Sequence, residues 1–428
     1  MILTQDEQNI LDGNQGSTLQ KVMRTLVLYG EALEAERFID IDWGGHFSIP
    51  FALPGVGPRL EMLDELAEAG LKTTQPFTLD PRAPGDFETL GVTQEQKELF
   101  QDMLRDQPAY DERMLQLGLR DKDAYTCTPY FPEVGNIPPQ GAVLAWSESS
   151  CVVYANSVLG ARTNRNSSII DILSNIIGKT PLTGFLTEEG RQANWLVEVK
   201  TNKRPNPQLL GAAIGMKVLE DVPFITGLDS FLTPRLEPAT IDFLKEMGAA
   251  CAAIGAVGLY HVQNITPEAI KHGNKLLRSD YRTYTIDDQE LDALFSSYPV
   301  MWEDRQAEPR KCMIGCPHLS LKELYWWTDN ICDVLQAAGR KQVAIETLMC
   351  AAPQIIQKFK EDEKEYSRLK RTGVKLTDTC PEAYMNNRLC AREAVVTNSN
   401  KFRAFTTARM YLDHDLIQVI VGGKVQLL

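Results

Sequence analysis

Residues 146–166 read WSESSCVVYANSVLGARTNRN and form the densest polar run of the chain. Their pattern predicts a short helix that begins at about Glu148 and ends at Gly160. Arg162 and Asn164 then lie just beyond the end of this helix. Because a guanidinium can bind a carboxylate through two parallel hydrogen bonds, this layout favours a carboxylate-bearing ligand. The alternative interpretation is an ordinary capped helix followed by a solvated basic turn.

Outside this stretch, helical patterns of about 12–20 residues alternate with short runs of β-branched residues, which predicts an α/β fold of layered sheets and helices. Two capping boxes mark helix starts at Thr93–Gln96 and Ser320–Glu323. Helices are also predicted at about residues 208–219, 238–253 and 353–371. Strands are predicted at residues 141–146, 195–200, 223–227, 257–262, 311–315, 343–349 and 393–396.

Loop-like turns place domain boundaries near residues 140, 205 and 310. The resulting parts are an N-terminal α/β region (1–140), a segment with the polar run and the following strand (141–205), an α/β domain (206–310) and a C-terminal α/β domain (311–428).

The composition excludes several classes of protein. The chain has 428 residues and a net charge of −13, from 44 Lys+Arg against 57 Asp+Glu. This acidic balance, without a basic stripe, argues against a nucleic-acid partner, including a regulator that binds RNA. The N-terminus has neither a basic nor an apolar leader segment, and no apolar run is long enough to span a bilayer. We therefore expect a cytoplasmic protein without a membrane partner.

The chain lacks GxGxxG, GxxxxGK[ST], GxSxG, HExxH and CxxC strings, so the common dinucleotide, P-loop, hydrolase, zincin and zinc-ribbon interpretations do not apply. Three of its nine cysteines, Cys127, Cys316 and Cys380, follow predicted strand or turn ends in polar, proline-containing contexts. Ligands of α/β proteins gather at such ends, and three thiolates there can hold an iron centre with one position open. The alternative is that each cysteine fills a small apolar space. Cys151, Cys251, Cys332 and Cys350 are interpreted as core residues, and Cys312 and Cys390 stay undecided, with a structural role favoured.

Two further places carry polar residues at strand ends. His46 follows a predicted strand in a Gly-Gly-His turn, where an imidazole can act as an acid or base, although a structural histidine is an equal alternative. Ser399 and Lys401 follow the predicted strand at 393–396 and are expected to face the same crevice. A solvated turn is the alternative there.

These segments, in this order, resemble the large catalytic component of the aconitase X family. The resemblance covers nearly the whole chain and rests on the segments at residues 11–16, 126–130, 148–165, 178–181, 315–318, 377–380 and 398–401. Phe185 stands where the family pattern leads us to expect a histidine, so the substrates of family members cannot be assigned directly to this chain.

The resemblance implies α/β domains around an iron or iron–sulfur centre, mononuclear, two-iron or four-iron, held by Cys127, Cys316 and Cys380. A small swivelling domain closes such a site. Because no fused swivelling domain follows the large part here, we expect the swivelling domain to be a separate small subunit. We also expect no activity of this chain alone. Family members are hydro-lyases that act on mevalonate 5-phosphate or cis-3-hydroxy-L-proline, both small anionic substrates. The alternative is a non-catalytic iron-binding or scaffold subunit of the same fold.

The implied reaction uses iron as a Lewis acid on the substrate. A base, expected from a serine of the swivelling part, removes the proton next to the carboxylate, and His46 protonates the leaving hydroxyl. The residues predicted to be catalytic are His46, Glu148, Ser149 and Lys401. Those predicted to bind substrate are Ser150, Asn156, Ser157, Arg162, Thr163, Asn164 and Ser399.

Overall fold

A computed structural model of the chain describes residues 1–48, 57–233 and 236–424, and within them the strands form two larger parallel sheets and two short two-stranded sheets. This architecture confirms the predicted α/β fold. No helix in the described part of the chain is long and apolar enough to cross a membrane.

The first part of the chain is mainly helical. Its elements are α1 (Gln5–Leu11), α2 (Ser17–Ala32), β1 (Phe38–Asp40), β2 (His46–Phe47), α3 (Gly57–Glu68), β3 (Thr78–Leu79), α4 (Gln94–Met103), α5 (Gln107–Leu117), α6 (Ser149–Tyr154), α7 (Ser168–Ile177) and β4 (Lys179–Pro181). β1 pairs with β4 antiparallel, and β2 pairs with β3 in parallel, with His46 opposite Thr78. This register places the residues that follow β2 and β3 side by side.

The second part is a four-stranded parallel sheet in the order β7-β6-β5-β8, with helices between its strands. Its elements are β5 (Ala193–Val199), α8 (Pro207–Val218), β6 (Pro223–Thr226), α9 (Pro238–Ile254), β7 (His261–Val262), α10 (Pro267–His272), β8 (Leu277–Ile286) and α11 (Asp288–Ser296). The predicted boundary near residue 205 falls between β5 and α8 of this sheet unit. The predicted domain limits stay predictions.

The third part is a five-stranded parallel sheet in the order β11-β10-β9-β12-β13. Its elements are β9 (Lys311–Leu319), α12 (Leu321–Ala337), β10 (Glu346–Ala351), α13 (Pro353–Glu361), α14 (Glu363–Arg371), β11 (Lys375–Thr377), α15 (Pro381–Met385), β12 (Val395–Thr397), α16 (Asn400–Phe405), β13 (Arg409–Met410) and α17 (Asp413–Gly422). All nine residues of β9 are buried, as a central parallel strand requires.

Three sequence-based predictions need correction. Residues 141–146 form isolated bridges, Val143 with Arg162 and Trp146 with His46, rather than a strand, because no neighbouring strand continues the pairing. The predicted helix at 353–371 is two helices that meet at Asp362, whose side chain caps the second. The strand β8 was not predicted, because it lies at a sheet edge and most of its side chains face solvent.

The hydrophobic core joins the parts of the chain. One cluster contains buried residues of both large sheets, such as Val197 and Ile314. Another packs Phe100 of α4 against Tyr384 of α15 and Phe402 of α16. The first and third parts therefore meet through buried contacts, and the candidate site lies at this junction.

Candidate active site

Hydrogen bonds tie the Cys127 loop to the strand that carries Cys316, and the Cys380 segment to Arg82. The backbone N–H of His318 donates to Sγ of Cys127 over 3.2 Å, which ties the Cys127 loop to the end of β9. The backbone N–H of Cys380 donates to the carbonyl of Arg82 over 3.0 Å. Each contact joins residues that are far apart in sequence.

The three thiols influence one another electrostatically. Burial raises the pKa of the Cys316 thiol, the Glu382 carboxylate and the Cys127 and Cys380 thiols raise it further, and Lys401 lowers it. Burial and then Glu382 raise the pKa of Cys380 to about 12. The thiol of Cys316 donates to Oε1 of Glu382 over 3.2 Å. The thiols of Cys127 and Cys380 are therefore close enough to Cys316 to affect its pKa. No group of three His, Cys, Asp or Glu side chains that could hold a metal ion occurs in the described ranges, and ligation by the three cysteines stays a prediction.

Glu148 and Lys401 form a buried ion pair beside these cysteines. Nζ of Lys401 lies 2.7 Å from Oε1 of Glu148 and 3.9 Å from Oε1 of Glu382. Burial opposes the charges, but Lys401 and a hydrogen bond from Ser150 hold the pKa of Glu148 well below its ordinary value. Glu148 and Glu382 in turn raise the pKa of Lys401. The site thus keeps a carboxylate and an ammonium charged at neutral pH.

The helix α6 begins around this carboxylate. Oε2 of Glu148 accepts hydrogen bonds from the hydroxyl of Ser150 over 2.6 Å and from the backbone N–H of Cys151 over 2.7 Å. Ser149 donates to Oε1 over 3.2 Å. Glu148 is therefore the N-cap of α6, so its orientation is fixed by the helix it starts.

Ser399 connects β12 to the strand that carries Cys316. Its hydroxyl donates to the carbonyl of Cys316 and accepts the backbone N–H of Phe402, capping α16. The cap directs Lys401, in the first turn of α16, toward Glu148. The predicted convergence of Ser399, Lys401 and Cys316 is therefore present, while their functional roles stay predictions.

His46 is fully buried and lies behind the site rather than in it. Its Nδ1 is 2.9 Å from Oγ1 of Thr78, and its Nε2 is 3.6 Å from Oδ1 of Asp80. A cavity of about 420 Å³ opens beside Cys380 and is lined by Asp80 and Glu382, among others. Asp80, which no sequence motif singles out, therefore lies between His46 and the cavity.

The polar side chains that follow α6 form hydrogen bonds within the protein. A five-residue π-helix at Ala155–Leu159 follows α6 and ends at Gly160, which confirms the predicted helix and its end. Nδ2 of Asn156 donates to the carbonyls of Thr163 and Gly258 over 2.8 and 2.9 Å. Oγ of Ser157 accepts the backbone N–H of Tyr260. These side chains hold the loop in place and attach it to the second part of the chain.

The remaining predicted side chains of this run are also engaged. Oγ1 of Thr163 accepts the backbone N–H of Trp146 over 3.1 Å, and Nδ2 of Asn164 donates to the carbonyl of Thr183 over 3.0 Å. Arg162 pairs with the exposed Glu188. The hydrogen bonds of these side chains go to the loop and to neighbouring segments rather than to the three cysteines. Substrate binding by these residues stays a prediction.

A buried arginine organises this loop. Arg191 donates to Oδ1 of Asn156 over 3.1 Å, to its backbone carbonyl over 3.0 Å and to Oε1 of Glu268 over 2.8 Å. His261 approaches the same Glu268 at 3.8 Å. The sequence offered no signal for this network, because Arg191 follows a loop and its partners lie 35 and 77 residues away.

Comparison with known proteins gives the family. Models of the aconitase X first, second and third domains match residues 1–189, 193–296 and 310–417. The chain belongs to the aconitase X family. The crystal structure of aconitase X from Thermococcus kodakaraensis in its holo-form matches with a TM-score of 0.79 and 30% identity, over 99% of this chain and 100% of that chain. The family and the fold inferred from sequence are thus confirmed.

Related aconitase X proteins are dehydratases. The phosphomevalonate dehydratase large subunit of Thermococcus kodakarensis is 34% identical over 342 residues, 79% of this chain and 78% of that protein. Its counterpart in Methanocaldococcus jannaschii is 29% identical over 436 residues, 100% of this chain and 98% of that protein. The cis-3-hydroxy-L-proline dehydratase of Pseudomonas aeruginosa is 27% identical over 383 residues, 87% of this chain and 61% of that protein. The predicted enzyme class, a lyase of the dehydratase type, is confirmed by these relatives.

Proposed function

We propose that this chain is the large subunit of a dehydratase that removes water from mevalonate 5-phosphate and works with a separate small swivelling subunit. The observation that carries the proposal is the match to phosphomevalonate dehydratase large subunits over almost the entire length of both proteins. The match to the hydroxyproline enzyme covers only 61% of that longer protein. That relationship nevertheless makes cis-3-hydroxy-L-proline the second candidate substrate.

We also propose that Cys127, Cys316 and Cys380 hold an iron or iron–sulfur centre. The donor set fits such a centre, because three thiols that share one electrostatic environment are suitable iron ligands. The N–H of His318 that points at Cys127 stabilises a thiolate, and the charge of Lys401 lowers the pKa of all three thiols. Lewis-acid polarisation of a substrate oxygen is the chemistry that such a centre supplies when bound.

The protein's own residues supply the charges and the proton. The ammonium of Lys401 provides positive charge for an anionic substrate, and Glu148, with Ser149 and Ser150 around it, fixes the position of that ammonium. Elimination also needs a base at the C–H bond, expected from the small subunit. The leaving hydroxyl needs a proton, which we assign to the pair formed by His46 and Asp80.

The test is co-expression with the small subunit, purification without oxygen, and measurement of iron content, visible absorption and loss of water from both substrates. Cys127→Ser, Cys316→Ser and Cys380→Ser should each lose iron absorption and turnover. Cys332→Ser is the matched control, because Cys332 is a half-buried thiol on α12 outside the site. It should keep both properties.

Each outcome separates the parts of the proposal. Turnover of cis-3-hydroxy-L-proline alone would replace the proposed substrate. Iron binding without turnover of either compound would favour a non-catalytic iron-binding subunit. Full iron content in the three site variants would refute the assignment of the ligands.

A further inference from the structure

The pair of Asp80 and His46 has one member that a substrate can reach. The side chain of His46 is completely buried, whereas that of Asp80 is 28% exposed. Asp80 lines the cavity beside Cys380, and His46 does not. A group that transfers a proton to a substrate must come within hydrogen-bond reach of it. By this criterion Asp80 is the better placed of the two.

The hydrogen bonds of Thr78 define the tautomer of His46. Oγ1 of Thr78 accepts Nδ2 of Asn136 over 3.0 Å and lies 2.9 Å from Nδ1 of His46. The hydroxyl of Thr78 has no other acceptor among the described residues, so we assign its proton to the contact with Nδ1. Neutral His46 then carries its proton on Nε2, which faces Oδ1 of Asp80. His46 is thus placed to donate to the carboxylate of Asp80.

Both facing atoms of this pair are buried and otherwise unused. Nε2 of His46 and Oδ1 of Asp80 make no conventional hydrogen bond in the described part of the chain. By contrast, Glu382, the other carboxyl group beside Cys380, already accepts the thiol of Cys316. Buried polar groups without a partner are rare in folded proteins and need an explanation.

We propose that Asp80 is a catalytic residue that protonates the leaving hydroxyl, and that His46 is a positioning residue that orients Asp80. This inference rests on the proposed dehydratase function. Burial raises the pKa of Asp80, the contact with His46 opposes this, and the negative charge of Glu148 raises it again. A carboxyl group that keeps its proton more readily than usual is suited to such a transfer.

The step balances in atoms and electrons. The base takes the proton of the substrate C–H bond, and the electrons of that bond form the new C=C bond. The C–O bond breaks with its electron pair on oxygen, and this oxygen receives the proton of Asp80 and leaves as water. Asp80 is then a carboxylate that accepts Nε2–H of His46, and solvent restores its proton after product release.

The experiment uses the complex with the small subunit, loaded with iron, and the substrate that the parent complex turns over. Asp80→Asn keeps the shape of the side chain without a transferable proton, and should lower kcat at least about 100-fold while KM changes less than about 3-fold. His46→Gln keeps a donor toward Asp80 and should lower kcat less than Asp80→Asn does, whereas His46→Ala should approach it. Iron content and visible absorption should match the parent in all three.

Asp64→Asn is the matched control. Asp64 is 43% exposed, pairs with Arg113 and does not line the cavity, so its replacement should leave kcat within about 3-fold of the parent. An Asp80→Asn complex with kcat near that of the parent would overturn the proposal, as would a His46→Gln complex impaired more than Asp80→Asn. A parent complex that turns over neither substrate would instead refute the proposed function itself.

Discussion

Replacement of Arg191 by methionine should loosen the loop that follows α6. The guanidinium is 2% exposed and donates to Asn156, to Phe185 and to the carboxylate of Glu268. Methionine keeps much of the apolar volume of the side chain but removes all of these hydrogen bonds and the positive charge. Asn156 then loses the donor that holds its Oδ1 in position for the backbone N–H of Thr163.

The size of the effect follows from the buried ion pair. Removing one partner of a buried pair costs about 3–5 kcal/mol, because the other charge is left uncompensated. Arg162 lies 4.0 Å from Oε1 of Glu268 and compensates part of that charge. We therefore expect the lower end, about 3 kcal/mol, which corresponds to roughly a 100-fold change in a local opening equilibrium.

Hydrogen exchange of the native protein, read by mass spectrometry, measures this opening. Peptides that contain residues 156–164 should exchange roughly 100-fold faster in Arg191→Met, while peptides from α17 should not change. Arg278→Met is the control, since Arg278 is 35% exposed and its ion pair, at 3.4 Å, is with the exposed Glu189. An exposed pair contributes about 0–1 kcal/mol, so exchange there should change less than about 5-fold.

A double variant tests the physical cause. In a Glu268→Gln background, residue 268 carries no negative charge that could be left buried without a partner. Arg191→Met should therefore destabilise the loop by about 1–3 kcal/mol less than it does in the parent. Equal costs in both backgrounds would refute the electrostatic explanation. Exchange at residues 156–164 that is no faster than in Arg278→Met would refute the role of Arg191 in holding the loop.

Two further predictions concern stability. Burial lowers the pKa of His261 to about 4; because the unfolded imidazole titrates at about 6.5, stability is complete above that pH and falls by about 3 kcal/mol as the pH drops through this window. His261→Gln should flatten the dependence of the urea midpoint on pH between these values, and an unchanged slope would contradict the assignment. A Cβ on Gly211 of α8 would lie 2.2 Å from the carbonyl oxygen of Met247 on α9, so Gly211→Ala should lower the free energy of unfolding by about 1–3 kcal/mol. Gly422→Ala, where a Cβ meets nothing within 4 Å, should leave the urea midpoint unchanged or raise it slightly, because alanine favours the helix, and equal effects of the two variants would refute this argument.

Local signals in the sequence predicted the helices better than the strands. The capping boxes that begin at Thr93 and Ser320 are both present, since their hydrogen bonds join residues three apart. The apolar run at residues 141–146 predicted a strand, yet pairing depends on what lies beside it, and only isolated bridges form. β8 is the opposite case, a strand that the sequence does not predict. Its exposed, polar side chains give no apolar signal, although its backbone pairs with β5.

The site shows the same division between local and distant information. Polar residues such as Asn156 and Thr163 resemble ligand-binding groups in sequence, but their side chains bond to the loop itself and to neighbouring segments of the protein. Asp80 carries no motif, and its importance comes only from the cavity and from His46, which lies 34 residues earlier. Residue type indicates which chemistry is available, whereas tertiary contacts decide which side chain faces the substrate.

The topology explains why Cys316 and Cys380 were easier to find than the proposed proton donor. In the third part, β11 precedes Cys380, β9 contains Cys316 and β12 precedes Ser399, and these strands lie in one parallel sheet. The carboxyl ends of parallel strands meet at one edge, so residues after them can be assigned to a common site from sequence alone. Asp80 reaches the site differently, through the two-residue pairing of β2 with β3, which a sequence pattern cannot indicate because so short a pair carries no periodicity. The proposed ligands Cys316 and Cys380 thus come from the large sheet and the proposed proton donor from a small separate sheet, whereas the Cys127 loop pairs with β3 through Leu79 and Tyr125, so substitutions in β3 should affect both iron content and turnover.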